Sequence, residues 1–525
     1  MTTPAASSFK VTYSSPLQDL AGFHREFDAA LAAVKARTGQ DYPLYIDGKA
    51  VASSLAPVVD TSPIDTSLVL GRFASASAEH VDQAVLAARR AQKAWGALPW
   101  QERLTVLRKA AAIIRERKWE IGAIMSLEVG KSRMEAMGDA DESADLIDYY
   151  CQQFEDATGY ERPLGRLSPN ENTRDVLRPY GVFACIAPFN FPMALSAGMS
   201  AAALMSGNTV VYKPAQDTPW TGLCLYECYA SAGVPPGAFN YLSGMASIMG
   251  DALWHNPGVD GIVFTGSKEV GMRLAREFST RYPKPVLMEM GGKNAAIVTA
   301  SADLDLAADG VMRSAFGLQG QKCSACSRVY VDAAVADEFT KLLLAKTAAI
   351  VIGDPSERDV YFGPVINKKA ITTYEQAVDE AKRGGAILAG GARLTEGACA
   401  RGHYVAPTIA KLPLDHGLFE RELFLPFLSL GVVSGLDQAL AESNKVEFGL
   451  TAGIFSAHKH EIARFFDEVE AGVCYANRRT GATTGAWPGV QSFCGWKGSG
   501  STGKGGCGPY YVAQFMREQS RTIME

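Results

Sequence analysis

The stretch VFACIAPFNFPMALSAGMSAAALMSGNTVVYKP, residues 182–214, decides the fold class, because it reads as one complete strand–helix–strand unit. VFACIAPF and NTVVYKP are short apolar runs bounded by Pro, Gly and Asn, the pattern of buried strands. Between them, the apolar run from Met193 to Val211 has the length of a membrane span, but Ser196, Gly198, Ser200, Ser206, Gly207 and Asn208 interrupt it. A buried helix followed by a strand fits that pattern better than a span does. GIVFTGS (261–267) and NAAIVTA (294–300) repeat the strand signature, and segments of helical period alternate with them. His80 to Arg117 is a clear helical stretch, with apolar residues returning at three- and four-residue steps. The expectation is an α/β protein with a largely parallel sheet. Open sheets of this kind bind ligands at the carboxyl ends of their strands, where Asn190, Lys213 and Thr265 fall.

Composition narrows the function. A chain of 525 residues, 47% hydrophobic, forms more than one domain around large cores. The formal net charge of -5 argues against a nucleic-acid or acidic-membrane surface, leaving small molecules as the expected partners. Ten cysteines are too sparse for a disulfide scaffold, and the start, MTTPAASSFKVTYSSP, has Lys10 as its one basic residue. These features favour the cytoplasm and leave the mitochondrial matrix open.

Chemistry concentrates in two segments. GQKCSACSR, residues 320–328, carries Cys323, and MEMGGKN, residues 288–294, carries Glu289. A thiol attacks a carbonyl carbon, and a carboxylate then activates the water that releases the product. Asn190, in IAPFNFP, adds a side-chain amide suited to a developing oxyanion. Neither a lone Cys nor a lone Glu carries such a reading, since free cysteines are usually small buried apolar residues.

The whole set is what carries weight. PFNFP, YKPA (212–215), FTGS (264–267), EMGGKN (289–294), GQKCS (320–324) and EFGLTAGIFS around Gly449 occur in an order and spacing that resemble the aldehyde dehydrogenase superfamily, from about Tyr42 onward. The resemblance implies a Rossmann-type cofactor domain, an α/β catalytic domain and a small β oligomerisation arm. The boundaries it implies are an extension over 1–40, a cofactor domain over 41–158 and 180–291, a catalytic domain over 292–496, and an arm over 159–179 and 497–525. It also implies a homodimer or a higher homo-oligomer.

The same resemblance implies a nicotinamide dinucleotide, NAD with NADP possible. The matching positions are Ile186, Ala187, Pro188 and Phe189, then Lys213, Ala215 and Gln216, then Gly244 and Gly250. They continue through Thr265, Gly266 and Ser267, Met290 and Gly291, and end at Glu422 and Phe424. Ser267 opens a helix whose N-terminus favours a pyrophosphate; read alone, it is equally a plain N-cap. Gln216 departs from the Glu that NAD-preferring members place there to accept the ribose 2′-hydroxyl, which admits NADP, with Asp217 next to it as a substitute acid. Leu425 stands where a Gly usually precedes Pro426.

Within the superfamily, GQKCSACSR and TGAWPGVQ (484–491) resemble the 1-pyrroline-5-carboxylate dehydrogenases, which oxidise glutamate γ-semialdehyde to glutamate in proline catabolism. That group grips the substrate carboxylate at the positions matching Ser324, Gly485 and Ala486, a compact anion site of N–H groups and a hydroxyl. Lys322 adds charge, and Phe191 and Phe493 wall the carbon chain. Three differences stand against this substrate: Cys494 in place of Gly, a segment NRRTGAT (477–483) about three residues longer than the group's pattern, and Asp145 where a Glu meets the substrate amine. Another aliphatic, aromatic or semialdehyde substrate, or a catalytically silent binding relative, remain the alternatives.

Two further patterns mislead. GSGSTG (498–503) matches a dinucleotide fingerprint but has too little chain after it for a βαβ unit, and reads as a flexible loop over the site. The Cys323–Cys326 and Cys224–Cys228 pairs lack companion ligands, so no metal is expected.

Overall fold

The computed structural model describes residues 10–12 and 19–525. Most of the N-terminal stretch that bears on targeting therefore lies outside the described residues. Residues 20–35 of the expected extension form a helix, Leu20–Lys35, started by Asp19 accepting from Gly22 N at 2.8 Å. Its Phe23, Phe27, Leu31 and Val34 return at helical steps and are buried in the main core, with Phe23 against Trp119 at 5.5 Å. This part of the chain is core rather than an appendage.

Two seven-stranded sheets organise the molecule. In the first, Val286–Glu289, Gly261–Thr265, Val182–Ile186, Thr209–Lys213 and Phe239–Tyr241 run parallel. Leu44–Ile46 and Lys49–Val51 extend the sheet antiparallel. The opening βαβ unit is here, with the Ala194–Met205 helix crossing between its strands. Successive strand side chains point to opposite faces, and the cores obey that rule. Phe183, Cys185, Val210 and Tyr212 join the core under the Ala194–Met205 and Pro219–Ala232 helices, whereas Val182, Ala184 and Val211 join the one under Ala78–Ala97 and Ala246–Trp254.

The stretch His80–Arg117 is two helices, Ala78–Ala97 and Trp100–Glu116. Pro99 breaks it, because its ring has no N–H to donate and pushes Leu98 into an extended conformation, ψ 143°.

The second sheet runs in the order Ala386–Ala389, Thr408–Lys411, Phe427–Val433, Cys326–Asp332, Asn294–Val298, Thr451–Phe455 and Val473–Ala476. All its neighbours are parallel except the first pair. The chain passes from one sheet to the other over Met290–Lys293, so Glu289 ends a strand of the first sheet and Asn294 begins a strand of the second.

A third, antiparallel sheet joins Met516–Met524 to Glu171–Pro179 and Glu161–Pro163. The expected arm segment 497–525 is divided: only the part from Met516 enters this sheet. The GSGSTG stretch is pinned rather than flexible. Met290 N donates to Ser499 O at 2.8 Å, Met288 N to Ser501 Oγ at 2.9 Å, and Ser501 N to Met288 O at 3.2 Å, adding an antiparallel edge beside Glu289.

Asn208, fully buried, fastens these parts together. Its Oδ1 accepts from Gly181 N at 2.8 Å and its Nδ2 donates to Ala203 O at 3.2 Å and Phe515 O at 2.9 Å. Replacing it strands buried partners that water cannot reach. Asn208→Ala is expected to lower stability by about 3 kcal/mol, read as a clear drop in the thermal midpoint; an unchanged midpoint would show that the C-terminal segment is not anchored there.

Candidate active site

The loop that carries Cys323 is built by unusual backbone. The Leu304–Phe316 helix stops at Gly317, and Leu318, Gln319 and Gly320 then take φ values of 48°, 54° and 68° in succession. Side-chain-bearing residues adopt this left-handed region at a cost, and such strain gathers at functional sites. Asn294 Nδ2 donates to Cys323 O at 2.7 Å and Ala325 O at 2.9 Å, while Thr483 Oγ1 donates to Ser324 O at 2.6 Å. These bonds fix three consecutive carbonyls and with them the place of the thiol. The two glycines before Lys293 are required by close approach: a Cβ on Gly291 would collide with the Glu422 carboxylate, and one on Gly292 with Cys323 O.

Two cavities meet at Cys323. The larger, about 550 Å³, is walled by Ala187, Pro188, Phe189 and Asn190 from one strand end, and by Thr265, Gly266 and Ser267 from the next. Ala215, Met290, Gly291, Glu422 and Phe424 complete the expected set there. Ser267 caps the Lys268–Glu277 helix, accepting from Val270 N at 3.4 Å. The smaller cavity, about 100 Å³, is lined by Phe191, Glu289, Ser324, Gly485, Ala486 and Phe493, again with Cys323 and Thr265.

Five residues expected around a cofactor stand outside the larger cavity's wall: Ile186, Lys213, Gln216, Gly244 and Gly250. Gln216 is exposed on the surface. Lys213 is buried, donates to Pro214 O at 3.2 Å, and is pulled down to about 8 by burial, with Asp217 opposing. Asp217 in turn meets Asn367 Nδ2 at 3.4 Å, and Asn367 does line the cavity. Asn367 caps the Lys368–Gly384 helix, and an N-cap Asn in sequence marks a helix start but not a cavity wall.

The smaller cavity also holds residues that no motif marks. Glu142, Leu146 and Tyr150 recur every four positions on the Arg133–Asp156 helix and form one wall. Cys507 and Tyr511 come from the C-terminal segment. The acid on the wall is Glu142, whereas Asp145 points elsewhere, bonded to Lys10 at 2.5 Å, Arg115 at 2.9 Å and Trp487 Nε1 at 2.9 Å. The long NRRTGAT segment packs on the Leu304–Phe316 helix through Arg479 to Asp305 and Thr483 N to Ser314 Oγ. Arg478 Nη2 donates to Gly485 O at 2.8 Å; in a trans peptide this turns the Ala486 N–H to the opposite side. Cys494 Sγ rests near Gly472 O at 3.5 Å, and Leu425 is buried in the larger cavity's wall.

Burial sets the protonation states. The Cys323 thiol is pushed up to about 12 by burial, with Glu422 and Glu289 adding to the effect. Burial raises Glu289 well above the usual carboxyl range against the pull of the Gly495 N–H, and its Oε2 has no hydrogen-bond partner among the described residues. Glu422 rises to about 7 for the same reason, opposed by the Gly292 N–H at 2.8 Å and by Lys293. A thiol held neutral beside a carboxyl made basic by burial is an arrangement for proton transfer. Among the described residues no cluster of His, Cys, Asp and Glu could hold a metal ion, and no helix is long and apolar enough to cross a membrane.

Residues 51–520 match the aldehyde dehydrogenase family, and the chain belongs to it. The enzyme class and fold expected from the motifs therefore stand. The 1-pyrroline-5-carboxylate dehydrogenase 2 of Bacillus subtilis strain 168 is 38% identical over 506 residues, covering 95% of this chain and 96% of that one. Among solved structures, 1-pyrroline-5-carboxylate dehydrogenase from Thermus with bound NAD matches over 100% of both chains at 34% identity, TM-score 0.93. An NADP dependent enzyme of E. coli matches at 30% identity and TM-score 0.86, over 92% of this chain and 98% of that one.

The thiol's environment has a direct test. With Cys323 near 12, its thiolate fraction, and hence its alkylation by iodoacetamide, should climb about tenfold per pH unit from pH 7 to 9 without levelling. Rates are read by mass spectrometry of the peptide carrying Cys323; a plateau below pH 8 would mean that a group in the site stabilises the resting thiolate.

Proposed function

We propose that this aldehyde dehydrogenase oxidises glutamate γ-semialdehyde, the open form of 1-pyrroline-5-carboxylate, to glutamate, with NAD as cofactor. The observation that carries the reading is the placement of Cys323 at the junction of the two cavities, one sized for a dinucleotide and one for a short chain. The larger cavity fits the cofactor. The Lys268–Glu277 N-terminus offers its N–H groups to a pyrophosphate, and the Glu422 carboxyl, buried against Gly291, is an acceptor for ribose hydroxyls. Bound there, the nicotinamide supplies the two-electron acceptor for the adduct on Cys323.

The chain's own residues do the rest. Cys323 gives up its proton by way of Glu289 to solvent and attacks the aldehyde carbon, and Asn190 with the Cys323 backbone N–H steadies the resulting oxyanion. After oxidation the carbon is a thioester on Cys323. Glu289, with an unpaired buried oxygen and raised basicity, takes a proton from the attacking water; the thioester bond breaks, the acid leaves and the thiol is restored.

The smaller cavity suits an amino acid semialdehyde. Ser324 and the Gly485–Ala486 peptide, oriented by Arg478, form the cradle for the substrate carboxylate. Lys322 lines the same cavity, paired with Glu135 at 2.6 Å. Glu142 on the helical wall is the acid for the ammonium, and Phe191 and Phe493 flank the carbon chain.

The first large sheet serves as the cofactor domain, the second as the catalytic domain, and the Met516–Met524 sheet as the arm of a homo-oligomer. Its exposed edge, with Ile523 and Met524 on it, fits pairing with a neighbour.

Reduced-nicotinamide formation at 340 nm tests the substrate and cofactor together. Pyrroline-5-carboxylate with NAD should give the largest kcat/KM against aliphatic, aromatic and other semialdehydes and against NADP. A larger value for an uncharged aldehyde would remove the carboxylate cradle from the account, and a larger value with NADP would assign the exposed Gln216 a permissive role. Cys323→Ala should bind NAD and turn over nothing, whereas Glu289→Gln should give one burst of reduced cofactor followed by turnover at least ~100-fold slower.

A further inference from the structure

Lys131 lies in the short link between the Lys118–Val129 and Arg133–Asp156 helices and has no exposed side-chain surface. Its ammonium is 2.7 Å from Asp139 Oδ2, and Asp139 is equally buried. The same ammonium stands over the Phe191 ring, 4.0 Å from its centroid. The other oxygen of Asp139 accepts from Ala194 N at 2.7 Å. Ala194 opens the Ala194–Met205 helix, whose own N-cap residue, Met193, supplies no side-chain bond. One buried pair thus grips both ends of the short loop that follows Asn190: the ring at Phe191 and the helix start at Ala194.

The position of that loop matters. Asn190 lines the larger cavity and Phe191 the smaller, so two adjacent residues face the two spaces that meet at Cys323. A rotation of the loop would displace both at once. A buried ion pair contributes little net stability compared with apolar side chains of the same volume. It supplies two things such side chains lack: an anion for a helix N-terminal N–H, and a cation on an aromatic face. Other charges facing Lys131 are Glu135 and Lys322. Lys322 is itself 5.8 Å from the Phe191 ring, so the ring lies within reach of two lysines.

We infer that the Lys131–Asp139 pair is a positioning device for the active site, fixing the Phe191 wall of the substrate cavity and, through the start of the Ala194–Met205 helix, the place of Asn190. Neither residue touches the reacting atoms. The inference rests on the reading of the Cys323 cavity as the aldehyde site.

The test is a double-mutant cycle between Lys131 and Phe191, with kcat and KM for pyrroline-5-carboxylate, the Kd of NAD and the thermal midpoint measured on each folded variant. Lys131→Met should lower kcat/KM by ~30-fold or more, since sub-ångström misplacement of site groups is enough for that, while the Kd of NAD stays within ~2-fold. On a Phe191→Leu background the same change should cost at least ~5-fold less than in the wild type, because the ring it positions is gone and only the effect through the helix start remains. Where Lys131→Met does not fold, Lys131→Gln, which keeps a hydrogen bond to Asp139 and loses the charge, is read by the same criteria. Full kcat/KM in a folded variant, or a penalty that multiplies undiminished onto Phe191→Leu, overturns the inference. Wild-type enzyme that oxidises no aldehyde defeats the underlying reading instead, so the two failures are distinct.

Discussion

The side chain of Asn294 holds the two halves of the site in register. Its Nδ2 donates to Cys323 O and Ala325 O, and its Oδ1 accepts from Thr451 N at 3.0 Å. Asn294 is the first residue of the strand that follows the crossing from one sheet to the other, four positions after Met290 and directly beside Cys326 in the parallel pairing. The crossing must be short and closely packed for this to work. Gly291 and Gly292 make it so, since any side chain there would push Glu422 and Cys323 away. Glu289, Cys323 and Glu422 are thus all placed by one turn of chain and one amide, next to a loop whose Leu318 and Gln319 carry the cost of left-handed backbone.

Burial then does chemical work that no single residue type dictates. Cys323, Glu289 and Glu422 sit close enough for each carboxylate to disfavour the thiolate, which with burial keeps the thiol protonated at rest. The lysines near the site are paired with acids of the Arg133–Asp156 helix, Lys322 with Glu135 on the cavity wall and Lys131 with Asp139 behind it, at 2.6 and 2.7 Å. Pairing of this kind is what allows lysine and carboxylate to be buried at all.

How much of this was legible in the sequence depended on whether a residue acts through its type or through its position. Cys323, Glu289 and Asn190, the strand ends at Ala187 and Thr265, and the Gly485–Ala486 turn are local choices with a chemical reason, and the structure gathers them around two cavities that share Cys323. The strands were legible for a related reason: buried parallel strands are continuous apolar runs between turn residues. Glu142 was hidden because it is one acid on a long helix in which Asp145, three residues on, looked equivalent; only the helical phase separates a cavity wall from a surface ion pair. Gln216 and Lys213 belonged to a recognisable motif, yet the loop carries Gln216 out to solvent and turns Lys213 inward, which spacing alone does not convey.

The C-terminal segment is where composition misled most. A run such as GSGSTGKGG lacks apolar residues to bury and so reads as mobile, but its backbone finds partners that its side chains do not announce. It forms an edge on the strand bearing Glu289, and a few residues later Phe493 N donates to Gly506 O at 2.7 Å and Cys507 N to Tyr150 Oη at 3.0 Å. Glycine is what permits this closeness: at Gly495, Gly500 and Gly505 a Cβ would strike neighbouring backbone. The segment therefore closes the smaller cavity with Cys507 and Tyr511 before Phe515 O meets Asn208 and the chain leaves along Met516–Met524. One continuous stretch thus forms first the cavity wall and then, beyond the Asn208 anchor at Phe515, the outer strand. The glycines that make the segment look loose are the residues that let it be tight.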